Sequence, residues 1–339
     1  MRATILALCL VAAPAFAWAQ SGEPFYKGKV IHLTLSAGVA GGYAIYGRAF
    51  ADHFPDHLEG KPGIVVESME GAGGLRATNY LFNAAPKDGT VLGLVHAQAP
   101  LAPLLGNKAA QFDPRQFNWL GSMDQAVGEC GFYDSPIRSW QDLKEKPAVV
   151  GSTGAGSEME VMPTLLNRLF GTHIKIVSGY KDGNEVFLAM ARGEVQGRCS
   201  NLGTTLQSNH PEWLTEHKIF IPIVMGTSRD PLFPDSPSIL EFTKDQAVRQ
   251  QLALVFLTQN IDRPVLVPPG VPAARVAELR RAFVDTMQDP AFLADAKKLH
   301  METNFITGQA MDELFAKAYA TPPAVIEAVK QIQAGPGSK

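Results

Sequence analysis

Residues 35–48 read LSAGVAGGYAIYGR, the end of a strand that runs through glycines into a helix. Upstream, Val30, Ile31, Leu33 and Leu35 form a short apolar run with β-branched members, the pattern of a buried strand. Downstream, Tyr43, Tyr46 or Gly47, Phe50 and Phe54 recur at helical spacing. Gly38, Gly41 and Gly42 lie between, admitting backbone angles closed to other residues and letting a ligand approach the main chain. The first N–H groups of a helix have no partner within it, and the helix dipole adds positive potential, so such a start suits a carboxylate or phosphate. Glycine turns of this kind also serve as plain connections, and taken alone the stretch leaves both readings open. It does not meet the G-x-G-x-x-G fingerprint of dinucleotide binding, and only Glu67 or Glu70 stands near the required acidic position, which disfavours a nicotinamide cofactor.

Outward from this stretch the same unit repeats. Residues 64–67 are strand-like, and Gly71-Ala72-Gly73-Gly74 turns into a helical pattern through Leu75, Thr78, Asn79 and Phe82. A turn at 86–89 precedes a buried strand at 91–95, which ends at His96-Ala97-Gln98. This alternation predicts a mainly parallel α/β sheet with helices on both faces, and ligand sites beyond the carboxyl ends of its strands. From 117 to 133 two strand-like pieces flank Gly121 and Ser122, read as the chain crossing into a second domain. There Ser139 caps a short helix, residues 148–150 form a buried strand, and GSTGAGS at 151–157 opens a helix with Met159, Met162, Leu165 or Leu166 and Leu169 on one face.

This second turn offers the hydroxyls of Ser152, Thr153 and Ser157 as well as N–H groups. Gly156 stands where a P-loop needs Lys, and no G-x-S-x-G elbow is present. Alone it too can be structural; two anion-competent helix starts, one per domain, favour a ligand. Further on, 175–177 and 193–199 are strand-like, and Pro222 in the apolar run 219–225 argues for an edge or crossover strand returning the chain to the first domain. After a strand at 265–267 the chain is mostly helical, with Val276, Leu279, Phe283 and Met287, then Met311, Leu314, Phe315 and Ala318, facing inward.

The N-terminus, MRATILALCLVAAPAFAWAQ, combines one positive charge, an apolar run and small residues at Ala15, Ala17 and Ala19. It reads as a secretory signal peptide over 1–19, cleaved after Ala19 with Ala17 as the alternative. Losing Arg2 with it takes the net charge from −3 to −4. About 320 residues remain, enough for two domains, and no basic run suits nucleic acid. Of three cysteines, Cys130 and Cys199 stay after processing, in strand-like segments of one domain. In an exported chain they are expected to form a disulfide, with two buried thiols as the alternative. Two cysteines without a clustered histidine do not meet zinc spacing, and neither metal nor cofactor is expected.

The runs GGYAIYGR (41–48), GAGGLRATNYL (71–81), APKDG (85–89), GSTGAGS (151–157), GYKDGNE (179–185) and LVPPGVPAARV (266–276) occur together and in order. In this the chain resembles the substrate-binding proteins of tripartite tricarboxylate transporters, the TctC or Bug type, across essentially its whole length after the signal. The resemblance implies a two-domain periplasmic binding protein of the type II, Venus flytrap kind with two crossover segments. The expected division is 20–121 with 227–339 for one domain and 122–226 for the other. It also implies a monomer that hands a small carboxylate to the membrane permease subunits of a tripartite transporter. Relatives hold the carboxylate with backbone and small polar groups of one loop per domain, often through waters. The matching positions are Ser36, Gly38, Gly41, Gly42 and Tyr43 in the first loop, and Ser152, Thr153, Gly154 and Ser157 in the second. Where many relatives carry Asp two residues after the paired glycines, this chain has Ala44, and Ala40 replaces a frequent Gly. Lacking that acceptor for an amino group, the chain is expected to take a plain or aromatic acid.

Three further side chains are candidates. His96 can pair with an anion or bond nearby backbone, Tyr180 can wall a ligand, and Asn201 can bond its far end; Lys181 and Asp182 are read as a solvated turn. Function classes are therefore ordered as a non-enzymatic solute receptor, a ligand sensor for a signalling receptor, and, last, a secreted hydrolase using Ser152 or Ser157 with His96. The last lacks a close Ser/His/Asp pattern.

Overall fold

The computed structural model describes residues 23–154 and 157–333; the expected signal peptide lies outside them. Eleven strands are formed among the described residues: β1 (Val30–Leu35), β2 (Gly63–Ser68), β3 (Val91–Leu94), β4 (Asn118–Ser122), β5 (Gly128–Tyr133), β6 (Ala148–Ser152), β7 (Ile174–Ser178), β8 (Gly197–Ser200), β9 (Ile219–Met225), β10 (Pro264–Val267) and β11 (Ile306–Thr307). The α-helices are α1 (Gly42–His53), α2 (Leu75–Asn83), α3 (Trp140–Glu145), α4 (Glu158–Phe170), α5 (Gly183–Ala191), α6 (Gly203–Asn209), α7 (Pro211–Thr215), α8 (Gln246–Phe256), α9 (Ala273–Gln288), α10 (Pro290–Lys298), α11 (Gly308–Tyr319) and α12 (Pro323–Gln333).

The strands make two sheets, ordered β11-β4-β10-β3-β1-β2 and β7-β6-β8-β5-β9. β1 pairs in parallel with β2 and β3, and β6 with β7 and β8. The other ladders, those of β10, β11 and β5, are antiparallel. The expectation of a mainly parallel sheet is thus corrected to two mixed sheets. The reason is the direction from which the chain arrives. β10 begins where β3 ends, with Val95 N–H donating to the Pro264 carbonyl at 3.2 Å. A strand that enters its sheet at the end where its neighbours finish must run against them. β5, which brings the chain into the second sheet, runs antiparallel to β8 for the same reason.

Alternation along each strand builds a core on both faces of the first sheet. Leu120, Val265 and Val267 join Leu33, Phe50 and Phe283 on one side, while Trp119 and Leu266 join Leu75, Leu81 and Phe315 on the other. Gly121 and Ser122 lie within β4, and the connection falls at 123–127 instead. Gly121 is there for packing: a Cβ on it would come within 2.2 Å of the Phe283 ring and 2.5 Å of the Ile306 carbonyl. β9 is an edge strand, as Pro222 requires. α12 packs against both α4 and α8, and Leu252, Val255 and Val329 share one core with Cys130 of the second sheet and Leu165 and Leu166 of α4. Cys130 faces Cys199 across the β5–β8 ladder and is disulfide-bonded to it, S–S 2.06 Å.

Candidate functional site

The ends of β1 and β3 from one sheet and of β6, β7 and β8 from the other face a shared cleft. Between them lies a cavity of about 40 Å³, room for little more than water. Both anticipated helix starts border it. α1 begins from Gly41 and α4 from Ser157, each in extended conformation and neither with a side-chain cap. The Ser157 hydroxyl donates instead to the Gly154 carbonyl at 2.8 Å.

Of the residues singled out in the sequence, Gly41, Gly42, Tyr43, His96, Ser157 and Asn201 line the cavity. Ser36, Gly38, Ser152, Thr153, Gly154 and Tyr180 lie outside its lining and shape its walls. Ser36 Oγ is 3.0 Å from His96 Nδ1, and Gly38 packs on Asp182. Ser152 Oγ accepts from Gly154 N–H at 2.9 Å. The Thr153 carbonyl accepts from Gly73 N–H at 3.1 Å, tying the second loop to the first lobe. Tyr180 packs beside Gly151. Asp182, read as solvated, is 7% exposed and borders the cavity, because its carboxylate caps α5 by accepting from Glu185 N–H at 2.9 Å.

The charged centre was not foreseen. Arg263, 4% exposed, follows the return crossing and reaches over the start of α1. Its guanidinium is sandwiched by Tyr43 and Tyr46, 4.5 and 4.7 Å from their ring centres. Nη1 donates to the Asp262 carboxylate and, at 3.0 Å, to the Asp262 carbonyl. The opposite edge is unused: Nε is buried without a partner, and Nη2 donates no hydrogen bond among the described residues. Nη2 lies 3.2 Å from where a Cβ on Gly42 would sit. Asp262 also accepts from Asn201 Nδ2 at 2.9 Å, a bond across the cleft. Arg198, equally buried, is by contrast fully engaged, by Ser200, the Gly183 carbonyl and the Phe187 ring. The signal available for both was a lone arginine beside or inside a buried strand.

Electrostatics follow from this enclosure. Burial would lower the pKa of Arg263, but Asp262, the two tyrosines and Asp124 outweigh it and hold the cation. Burial, then the Arg263 charge, pushes His96 down to about 4, so it is neutral near pH 7. Burial and then Asp262 push both Asp124 and Glu158 up to about 7. His96 bonds Ser36, and no hydroxyl of the second loop reaches it among the described residues, so the Ser–His pairing of a hydrolase is not assembled.

Two predictions arise here. A Cβ on Gly42 would lie 3.1 Å from Thr205 Oγ1 and 3.2 Å from Arg263 Nη2, so Gly42→Val should hold the lobes apart and weaken ligand binding at least tenfold in calorimetry while the disulfide and far-ultraviolet dichroism stay native; full affinity would remove this turn from the site. Asp124 and Glu158 bind protons in the folded chain at pH values where the unfolded chain has released them, so stability falls as pH rises from about 4 to about 7. The depressed His96 opposes this between about 6.5 and 4. With Glu129 and Glu302 raised in the same sense as these two carboxyls and His210 lowered like His96, carboxyls outnumber imidazoles; the melting temperature should be higher at pH 5.5 than at 7.5 by ~2–5 °C, and Asp124→Asn should shrink the difference.

No described helix is long and apolar enough to cross a membrane. Residues 48–330 match the family model described as tripartite tricarboxylate transporter family receptor. No curated protein sequence matches the chain. Among solved structures, the periplasmic binding protein BugD superposes with a TM-score of 0.70 at 21% identity, covering 91% of this chain and 98% of that one. MatC (Rpa3494) from Rhodopseudomonas palustris, with bound malate, gives 0.69 at 18% identity, covering 89% and 99%. Rpa4515 from R. palustris, with adipate, gives 0.69 at 17% identity, covering 90% and 97%.

Proposed function

We propose that this chain, which belongs to the tripartite tricarboxylate transporter receptor family, is a periplasmic solute receptor that captures a small carboxylate between its lobes and presents the closed form to a membrane permease. The observation that carries the reading is the unused Nε/Nη2 edge of Arg263, buried against the uncapped start of α1. Two parallel N–H donors on one guanidinium edge match the two oxygens of a carboxylate, and the helix start adds N–H groups and positive potential to the same point. The malate and adipate held by the two R. palustris proteins support this class of ligand.

Capture needs movement, because a cavity of about 40 Å³ admits no organic acid until the lobes part. Arg263 and α1 approach the ligand from the first sheet; the α4 start, Asn201 and Asp182 approach from the second. A ligand that touches both favours the closed form by the contacts it gains there, and closure is what a permease can read. No nucleophile–base pair is part of this cycle, and the receptor is non-catalytic.

A thermal-shift screen of the chain from residue 20 against mono-, di- and tricarboxylates, aromatic acids and amino acids tests the reading. A ligand at 100 times its Kd should stabilise the fold by about 2.7 kcal/mol. Stabilisation only by solutes that lack a carboxylate would overturn it.

A further inference from the structure

Resting on the carboxylate reading, we infer that the ligand also carries a cationic nitrogen, which Glu158 accepts from the second lobe while Arg263 holds the carboxylate from the first. Glu158 is the first residue of α4 and lines the cavity. Among the described residues its carboxyl accepts one hydrogen bond, from Asn201 N–H at 3.3 Å. It therefore has acceptor capacity left, as Arg263 has donor capacity left: Arg263, 4% exposed and on the same cavity, keeps its Nε without a partner.

Charge balance argues for the pair of functions. Arg198 and Arg263 bring two positive charges to the cleft, while Asp182 and Asp262 bring two negative ones and Glu158, pushed up to about 7, a partial third, with His96 neutral. A plain carboxylate would add a further anion to an enclosed, weakly screened region, where like charges repel strongly. An amino acid or other aminocarboxylate adds no net charge: its carboxylate takes the free edge of Arg263 and its ammonium neutralises Glu158. The mutual repulsion of Glu158 and Asp262, already visible in the raised proton affinity of Glu158, is relieved at the same time. Ala44, fully buried, supplies no acceptor for an amino group; Glu158 supplies one from the opposite wall. This reverses the plain-acid preference drawn from Ala44.

The test is a set of matched pairs differing by one amino group, measured by thermal shift and calorimetry on the chain from residue 20: glutarate and L-glutamate, butanoate and 4-aminobutanoate, 3-phenylpropanoate and L-phenylalanine, 4-methylpentanoate and L-leucine. In any pair that binds, the amino member should bind at least tenfold tighter. Glu158→Gln should reduce that preference at least tenfold, whereas Arg263→Lys should weaken both members together. If the amino-free acid binds as tightly or more tightly, the inference falls and carboxylate capture stands. An amino preference that Glu158→Gln leaves intact overturns the assignment to Glu158. If no member of any pair binds, both this inference and the carboxylate reading fail.

Discussion

Arg263→Ala is expected to abolish measurable carboxylate capture and to lower the melting temperature, the largest combined effect of any single substitution in the cleft. Removing one member of a buried, hydrogen-bonded charge pair costs about 2–5 kcal/mol of binding energy, roughly 30- to 5,000-fold in Kd. The cost to folding has a separate origin. Asp262, 2% exposed, keeps among the described residues only the Asn201 amide as a side-chain partner once the guanidinium is gone, and an uncompensated buried charge destabilises by about 3–5 kcal/mol. The stacking on Tyr43 and Tyr46 is lost as well. The two effects can be separated. Asp262→Asn added to Arg263→Ala removes the orphaned charge and should restore most of the melting temperature without restoring binding. Recovery of binding in the double variant would show that Arg263 acts on the fold and not on the ligand. Arg263→Lys, which keeps the charge and loses the fork, should fall between wild type and Ala in affinity.

Loss of the Cys130–Cys199 bridge is expected to have the largest effect on stability alone. The bond closes a span of 69 residues, for which the chain-entropy model gives about 4 kcal/mol. Both sulfurs are fully buried in the core beneath the second sheet, so the paired Cys130→Ala, Cys199→Ala variant also loses packing. A fall in melting temperature of roughly 8–15 °C follows from that energy, with ligand preference unchanged because neither cysteine lines the cavity. Unfolding the oxidised chain from residue 20 in the presence of an alkylating reagent should label no cysteine. Two labelled thiols would refute the bridge, and a variant with native stability would refute its weight.

The sequence by itself determined the local units of this protein. The apolar run at 30–35, the glycines after it and the helical spacing of Tyr43, Tyr46 and Phe50 made β1 and α1 legible, and the GSTGAGS turn did the same for β6 and α4. These are signals within a dozen residues, where hydrophobic period and turn chemistry act directly. Pro222 marked an edge strand because a missing N–H is a local fact. Family likeness added the two-lobed architecture and, from its two loops, Gly41, Gly42, Tyr43 and Ser157 of the cavity lining.

Tertiary structure alone decided strand direction, the ownership of the C-terminal helices and the charges of the site. Whether β10 runs with or against β3 depends on the end from which the chain returns, which no residue of β10 encodes. α12 joins the core of the second sheet through contacts with α4, far away in sequence, and α8 packs on α12 in the same core. Asp182 is chemically suited to a solvated turn and becomes a cavity wall because the first lobe, at Gly38, closes over it. Arg198, Glu158 and the adjacent Asp262 and Arg263 come from three separate stretches of the chain. A buried charge is tolerable only beside its partner; Asp262 and Arg263 are neighbours in the sequence, but that this pair is buried and meets Asn201 across the cleft leaves no spacing to be read.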